Sequence, residues 1–190
     1  MLPDLPDDHD INHLLGALCL FEKKGVAIDG GAHRGIWTRI LSDRFAKVYA
    51  FEPWTDNFLK IPDMGNVTKV NCALGLKEGT FLMSPGKDNT GQMHFTSEIA
   101  DIRSGNAASV IKLESLDLDI DFLKLDVEGY ELFALQGAKE TIERCKPAIM
   151  VEMNGLSDRY GYSDEELRIY LSDIGYKEAG KWNKDYLFVS

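Results

Sequence analysis

Short apolar runs recur along this chain, and stretches with helical spacing separate them. The runs are Val26-Ala27-Ile28-Asp29, Lys47 to Phe51, Val67 to Leu74, Phe122-Leu123-Lys124-Leu125 and Ala148-Ile149-Met150-Val151. Each has the length of a buried strand, and the last two are followed at once by acids, Asp126 and Glu152. Between them, Ile36 to Phe45 carries Ile36, Trp37, Ile40 and Leu41 at helical spacing. Trp54 to Ile61 reads as a short helix stopped by Pro62, and about Tyr130 to Cys145 as a longer one. Buried strands alternating with helices predict a mostly parallel sheet covered on both faces, an α/β fold. In such sheets ligands bind beyond the carboxyl ends of the strands, so the acids there are the first candidates for a site.

The flanks fit around that core as parts of a single domain, residues 1–190. Asp10 is a plausible N-cap for an amphipathic helix reaching Lys24, with Leu14, Leu18 and Phe21 on one face, and residues 1–25 form an N-terminal helical unit. The core spans residues 26–154. Within it, the stretch from Gly75 to Ser115 breaks the rhythm with turn formers, Ser84 to Gly91 and Arg103 to Asn106, and is expected to be an insertion of loops and small strands. Residues 155–190 supply a helix opened by the capping box Ser163-Asp164-Glu165-Glu166 and ending near Gly175. A strand pair then turns around Asn183-Lys184-Asp185.

Composition narrows the partners. Of 190 residues, 44% are hydrophobic and 27% charged, enough for one well-filled core and too apolar for a disordered chain. With 21 basic and 31 acidic residues the net charge is −10, which argues against nucleic acid and against anionic membrane surfaces as partners. No secretory or spanning segment is read: Leu14 to Phe21 is far too short for a bilayer. Cys19, Cys72 and Cys145 match neither a disulfide framework nor a zinc spacing, so a cytoplasmic protein with free thiols is expected.

Gly30-Gly31-Ala32-His33-Arg34-Gly35 lies between the first core strand and its helix, where glycines let the backbone turn sharply and approach a ligand. The acid before it discriminates between cofactors. A dinucleotide would lay an anionic pyrophosphate over this loop and be repelled by Asp29, whereas S-adenosyl-L-methionine has no phosphate and carries an ammonium that Asp29 could bind directly or through water. At the end of the next strand, Glu52 in Phe51-Glu52-Pro53 can accept hydrogen bonds from ribose hydroxyls, which suits either cofactor.

These residues, with Phe122-Leu123-Lys124-Leu125-Asp126-Val127-Glu128-Gly129-Tyr130-Glu131, Gly137-Ala138 and Pro147-Ala148-Ile149-Met150-Val151-Glu152, resemble the FkbM-type methyltransferases from about residue 26 to residue 154. The Asp-Val-Glu-Gly-x-Glu segment is the most distinctive part, since the glycine loop is common to many class I methyltransferases. The resemblance implies a Rossmann-like class I methyltransferase fold with a sheet of seven strands. It also implies bound S-adenosyl-L-methionine, and methyl transfer to a hydroxyl oxygen of a sugar or natural product. Its cofactor-binding positions here are Asp29, Gly30, Gly31, Ala32, Gly35, Glu52, Pro53 and Asp126.

A hydroxyl acceptor must lose its proton, so a base is needed within reach of it. Asp126 is the first candidate and Glu128 the second; their alternation points both the same way if the strand continues. Glu131 opens the following helix, where the dipole favours an acid for structural reasons. His33 and His94 are weaker candidates. A magnesium site at Asp126, Glu152 and Asn154 is a minority reading, and no metal is assigned. Two alternatives stay open: an NAD(P)-dependent oxidoreductase, which lacks a catalytic Tyr-x-x-x-Lys here, and a cofactor-binding module without turnover. The acceptor expected is a small molecule or saccharide.

Overall fold

The computed structural model describes Leu18 and residues 25–84, 94–98 and 107–190. The expected helix from Asp10 to Lys24 lies outside these residues apart from Leu18, which is buried.

The core strands form where the apolar runs placed them: β1 (Val26–Gly30), β2 (Lys47–Phe51), β3 (Val67–Val70), β8 (Phe122–Leu125) and β9 (Ala148–Glu152). Two tail strands, β10 (Lys177–Trp182) and β11 (Asp185–Val189), complete a seven-stranded sheet of order β10-β11-β9-β8-β1-β2-β3. The core pairings are parallel, and β11 runs antiparallel to both β9 and β10. The chain fills β1, β2 and β3 outward on one side of β1 and returns to lay β8 and β9 on the other. The order therefore reverses between β1 and β8, and the crevice beyond their carboxyl ends is the place where this architecture takes ligands.

Alternation along the strands sorts side chains between the two faces. Ile28, Leu123, Leu125, Ile149 and Val151 pack against α3 (Glu131–Gln136), α4 (Lys139–Cys145) and α5 (Asp164–Asp173), through Leu135, Ile142, Leu167 and Leu171. Ala27, Val48, Phe122, Met150 and Leu187 face the other way, toward Leu41 of α1 (Ile36–Ser42) and Phe45. Lys124 shares this second face by the same alternation, and it is only 2% exposed.

A smaller sheet occupies the part of the chain that breaks the rhythm. Strands β4 (Ala73–Leu74), β5 (Gly79–Ser84), β6 (His94–Glu98) and β7 (Ala107–Ile111) pair in the order β4-β7-β5-β6.

Tertiary contacts shift several boundaries. The single strand expected from Val67 to Leu74 is two strands in different sheets. The chain bends at Asn71, whose amide donates to the carbonyls of Glu52 and Pro53, and Cys72 N returns to Val70 O. The long helix expected from Tyr130 to Cys145 is also two, α3 and α4, broken at Gly137, where a Cβ would lie 1.9 Å from the Gly75 carbonyl oxygen. The helix after Trp54 shortens to α2 (Thr55–Phe58), and α1 stops at Ser42 rather than Phe45. The capping box forms as read, with Ser163 Oγ accepting from Glu166 N and the Glu166 carboxylate accepting from Ser163 N.

Candidate functional site

The glycine loop turns directly off β1. Gly31 and Ala32 both donate to the Phe51 carbonyl, tying the loop to the end of β2, and Asp126 N donates to Gly30 O, tying it to the end of β8. Gly31 has φ +79°, and a Cβ there would sit 1.8 Å from the Asp126 carbonyl oxygen, so glycine is required on both counts. Gly35, also left-handed, packs against Pro62 and Ile61 as it leads into α1.

Glu52 is buried under this loop. One carboxylate oxygen accepts from His33 N at 2.7 Å and the other from Trp54 N at 2.8 Å, so the side chain stitches the glycine loop to the segment after β2. Burial is the dominant influence on its acidity and pushes it up to about 7, against the pull of those amides. Pro53 follows it, half-buried. His33 has φ +51°. Burial first, and then the charge of Arg34, holds its imidazole below the usual range, and its Nε2 is buried without a hydrogen-bond partner.

Asp29 is enclosed by the protein itself. Its side chain is 0% exposed. Thr38 Oγ1 of α1 donates to Oδ2 at 2.6 Å, and Lys124 Nζ donates to Oδ1 at 3.2 Å. Both carboxylate oxygens are thus engaged within the protein, one by α1 and one by β8. The register explains the pair, since Asp29 and Lys124 are Cα partners on β1 and β8 and alternation sends both to the α1 face.

The Lys124 ammonium also lies 3.7 Å from Asp126 Oδ2 and 5.3 Å from the centre of the Trp37 ring. Burial by itself would lower the basicity of this amine, but the carboxylates of Asp29, Asp126 and Asp185 outweigh it and hold the proton firmly. Lys124 is the residue that the sequence reading missed. The signal was there, a lysine inside a four-residue buried strand, but a lone cation in an apolar run does not reveal which acid it meets.

Asp126 stands at the mouth of the crevice, with its side chain 33% exposed. The condition on which Asp126 and Glu128 would point the same way, a strand running on to Glu128, is not met. β8 ends at Leu125, and Glu128 and Gly129 take left-handed conformations, φ +59° and +94°. Gly129 is packed so tightly on Leu156 and Ser157 that a Cβ would come within 2.5 Å of the Leu156 carbonyl oxygen. The turn is held from below by buried Glu131, whose Oε1 accepts from Val127 N at 2.9 Å and Gly129 N at 3.2 Å. Glu131 is thus a loop-organising residue, and its burial raises it to about 7. The turn still leaves Glu128 close to Asp126. Its Oε2 is buried without a partner, and burial followed by the charge of Asp126 raises it to about 7.

Asn154 Nδ2 donates to Glu152 Oε2 at 2.6 Å, an internal pairing of two of the three proposed ligands. Among the described residues, no group of three or more His, Cys, Asp or Glu side chains is arranged to hold a metal ion. His94 lies on β6, in the smaller sheet, and Trp54 packs beside Met83 and Ala108 of that sheet. Cys72 is buried, with its thiol pushed up to about 11 by burial, and Cys145 is half-buried. No helix among the described residues is long and apolar enough to cross a membrane.

A family model, the methyltransferase FkbM domain, matches residues 29–178, from the acid of β1 into the first residues of β10. The chain belongs to the FkbM methyltransferase family. Among solved structures, the FkbM methyltransferase of Methylobacillus flagellatus is similar over 90% of this chain and 45% of its own, with a TM-score of 0.62 and 19% identity. The chain therefore spans less than half the length of that relative. Precorrin 8w decarboxylase of Methanobacterium thermoautotrophicum matches 97% of this chain and 91% of its own at a TM-score of 0.52 and 16% identity. A Streptococcus mutans protein described as a methyltransferase, solved in complex with SAH, matches 99% and 97% at 0.51 and 12%. At these identities the likeness is one of fold, the Rossmann-like fold of class I methyltransferases. No curated protein matches by sequence. In this FkbM domain the residues matched by the family model include Asp29, the glycine loop, Glu52, and the Asp126 to Glu131 turn.

Proposed function

We propose that this FkbM domain is an S-adenosyl-L-methionine-dependent O-methyltransferase acting on a hydroxyl of a small molecule or saccharide. The observation that carries the reading is the meeting of three features at the reversal of strand order. These are a tightly turned glycine loop, Glu52 hydrogen-bonded to it, and the partly exposed carboxylate of Asp126, joined to the loop by the Asp126 N to Gly30 O bond. The FkbM family match and the SAH-bound neighbour of the same fold support the choice of donor.

The residues fit that donor. The glycines let the loop turn tightly between the ends of β1, β2 and β8, Glu52 and Pro53 follow at the end of β2, and a carboxylate at the crevice favours a cation over a pyrophosphate. Bound there, the sulfonium supplies an activated methyl group. The protein aligns an acceptor oxygen with it and takes the hydroxyl proton. Asp126 is the group at the mouth that can do so, with Glu128 behind it. Asp29 and Lys124 fix Asp126 from below.

Calorimetry tests the donor: S-adenosylhomocysteine should bind and NAD should not, and the reverse result would favour an oxidoreductase. A screen of saccharides and small hydroxylated metabolites with methyl-labelled donor tests the reaction. Asp126→Ala should abolish transfer, while Glu52→Ala should chiefly weaken donor binding; normal turnover in Asp126→Ala would remove it from the mechanism.

A further inference from the structure

The acid that closes β9 has no role in the scheme above, yet it is built into the same corner. Glu152 pairs in register with Asp185 of β11, and Asn154 Nδ2 donates to its Oε2 at 2.6 Å. The parallel pairing of β8 with β9 ends at Leu125 and Val151, so Asp126 and Glu152 are the next residues on the two adjacent strands, and alternation sends both to the face that carries Lys124. Two ionised carboxylates have no donor between them, so a hydrogen bond across this pair requires one of them to hold a proton. The surrounding charges decide which. The Lys124 ammonium lies on the Asp126 side at 3.7 Å, whereas Glu152 faces Asp126 and Glu128 from the turn after β8 and Asp185 from β11. Burial, followed by these carboxylates, raises Glu152 to about 9, in line with the geometry.

We propose that Glu152 is a positioning residue for methyl transfer: anchored by Asn154, it carries the proton of a carboxyl–carboxylate pair and donates it in a hydrogen bond that fixes the rotamer of Asp126. The role rests on Asp126 being the base of the proposed reaction. It also removes one negative charge from a crevice that holds several acids.

Carbon-13 spectra of the full chain with labelled Asp and Glu carboxyls read this without donor or acceptor. The signal missing in Glu152→Gln should sit at the protonated-acid position at pH 7 and titrate near pH 9. The signal missing in Asp126→Asn should keep its position in Glu152→Gln, whose amide still donates, and move in Glu152→Ala. With the acceptor returned by the screen, Glu152→Gln should retain kcat, and Glu152→Ala should lose about tenfold, the worth of one hydrogen bond, at unchanged donor KM. A Glu152 signal at the carboxylate position at pH 7, an Asp126 signal indifferent to Glu152→Ala, or a Gln variant no better than the Ala variant would each overturn the proposal. Glu152→Gln removes no volume, so a melting curve like that of the parent is expected and keeps the test open if Glu152→Ala does not fold. None of the spectra depends on S-adenosylhomocysteine binding, whose absence would count against the methyl-donor reading instead.

Discussion

A buried lysine is costly unless its charge is met, and Lys124 is met by Asp29 at 3.2 Å and Asp126 at 3.7 Å. Removing one member should therefore cost more than removing the pair. Lys124→Met leaves Asp29 buried and uncompensated, and is expected to lose about 3–5 kcal/mol. Adding Asp29→Asn should restore part of that loss, and urea unfolding of the two single variants and the double closes the cycle. Gly31→Ala should be as damaging for a different reason. The left-handed backbone alone costs a side chain about 1–2 kcal/mol, and the added carbon would collide with the Asp126 carbonyl. Loss of S-adenosylhomocysteine binding, read by calorimetry, is the expected result. At this scale the sequence was half legible. Asp29, Glu52 and Asp126 were identifiable because they end buried strands, but their partners were not, since burial of Asp29 depends on a lysine ninety-five positions away.

The elements show where local rules sufficed and where they did not. The capping box of α5 is a property of four consecutive residues and formed as written. Ser163→Ala should cost about 1 kcal/mol in chemical unfolding and leave cofactor binding unchanged. The break between α3 and α4 is different. The apolar helical spacing continues past Gly137, where the Gly75 carbonyl passes too close for a Cβ and Glu114 N takes the Gly137 carbonyl. Gly137→Ala would strengthen the helix locally yet force two backbones apart. It is expected to destabilise the protein more than Ser163→Ala does, and a smaller loss would show that the approach is loose. The bend at Asn71 and the turn at Glu128 belong to the same class. In each, contacts with another segment overrule a continuing strand.

For the whole molecule, the acids at the crevice set the response to pH. Glu52, Glu128 and Glu131 are raised to about 7 and Glu152 to about 9, with burial as the first cause in every case. A carboxyl raised on folding holds its proton better in the native state, so its stability is complete below the ordinary carboxylate range and is lost as pH climbs through the folded value. The melting temperature should accordingly be higher near pH 5.5 than near pH 8.5. Glu152→Gln should flatten the upper part of that slope, and a melting temperature that rises with pH over this window would contradict the burial of these groups. The net charge of −10 adds self-repulsion in the same direction.

Taken alone, the sequence determined the alternation of strands and helices, and with it the parallel core, because burying short apolar runs between helices has few solutions. It also placed the glycine loop and the strand-end acids, since both are marked by adjacent residues. The tertiary structure decided what those acids do. It enclosed Asp29 against Lys124 and Thr38, turned Glu128 off the strand, sent Ala73 and Leu74 into a second sheet, and set Glu152 on the strand beside Asp126. The physical reason is one of range. Periodicity and capping are written in neighbouring residues, whereas the charge state of a buried carboxyl depends on which distant groups the fold brings within a few ångströms of it.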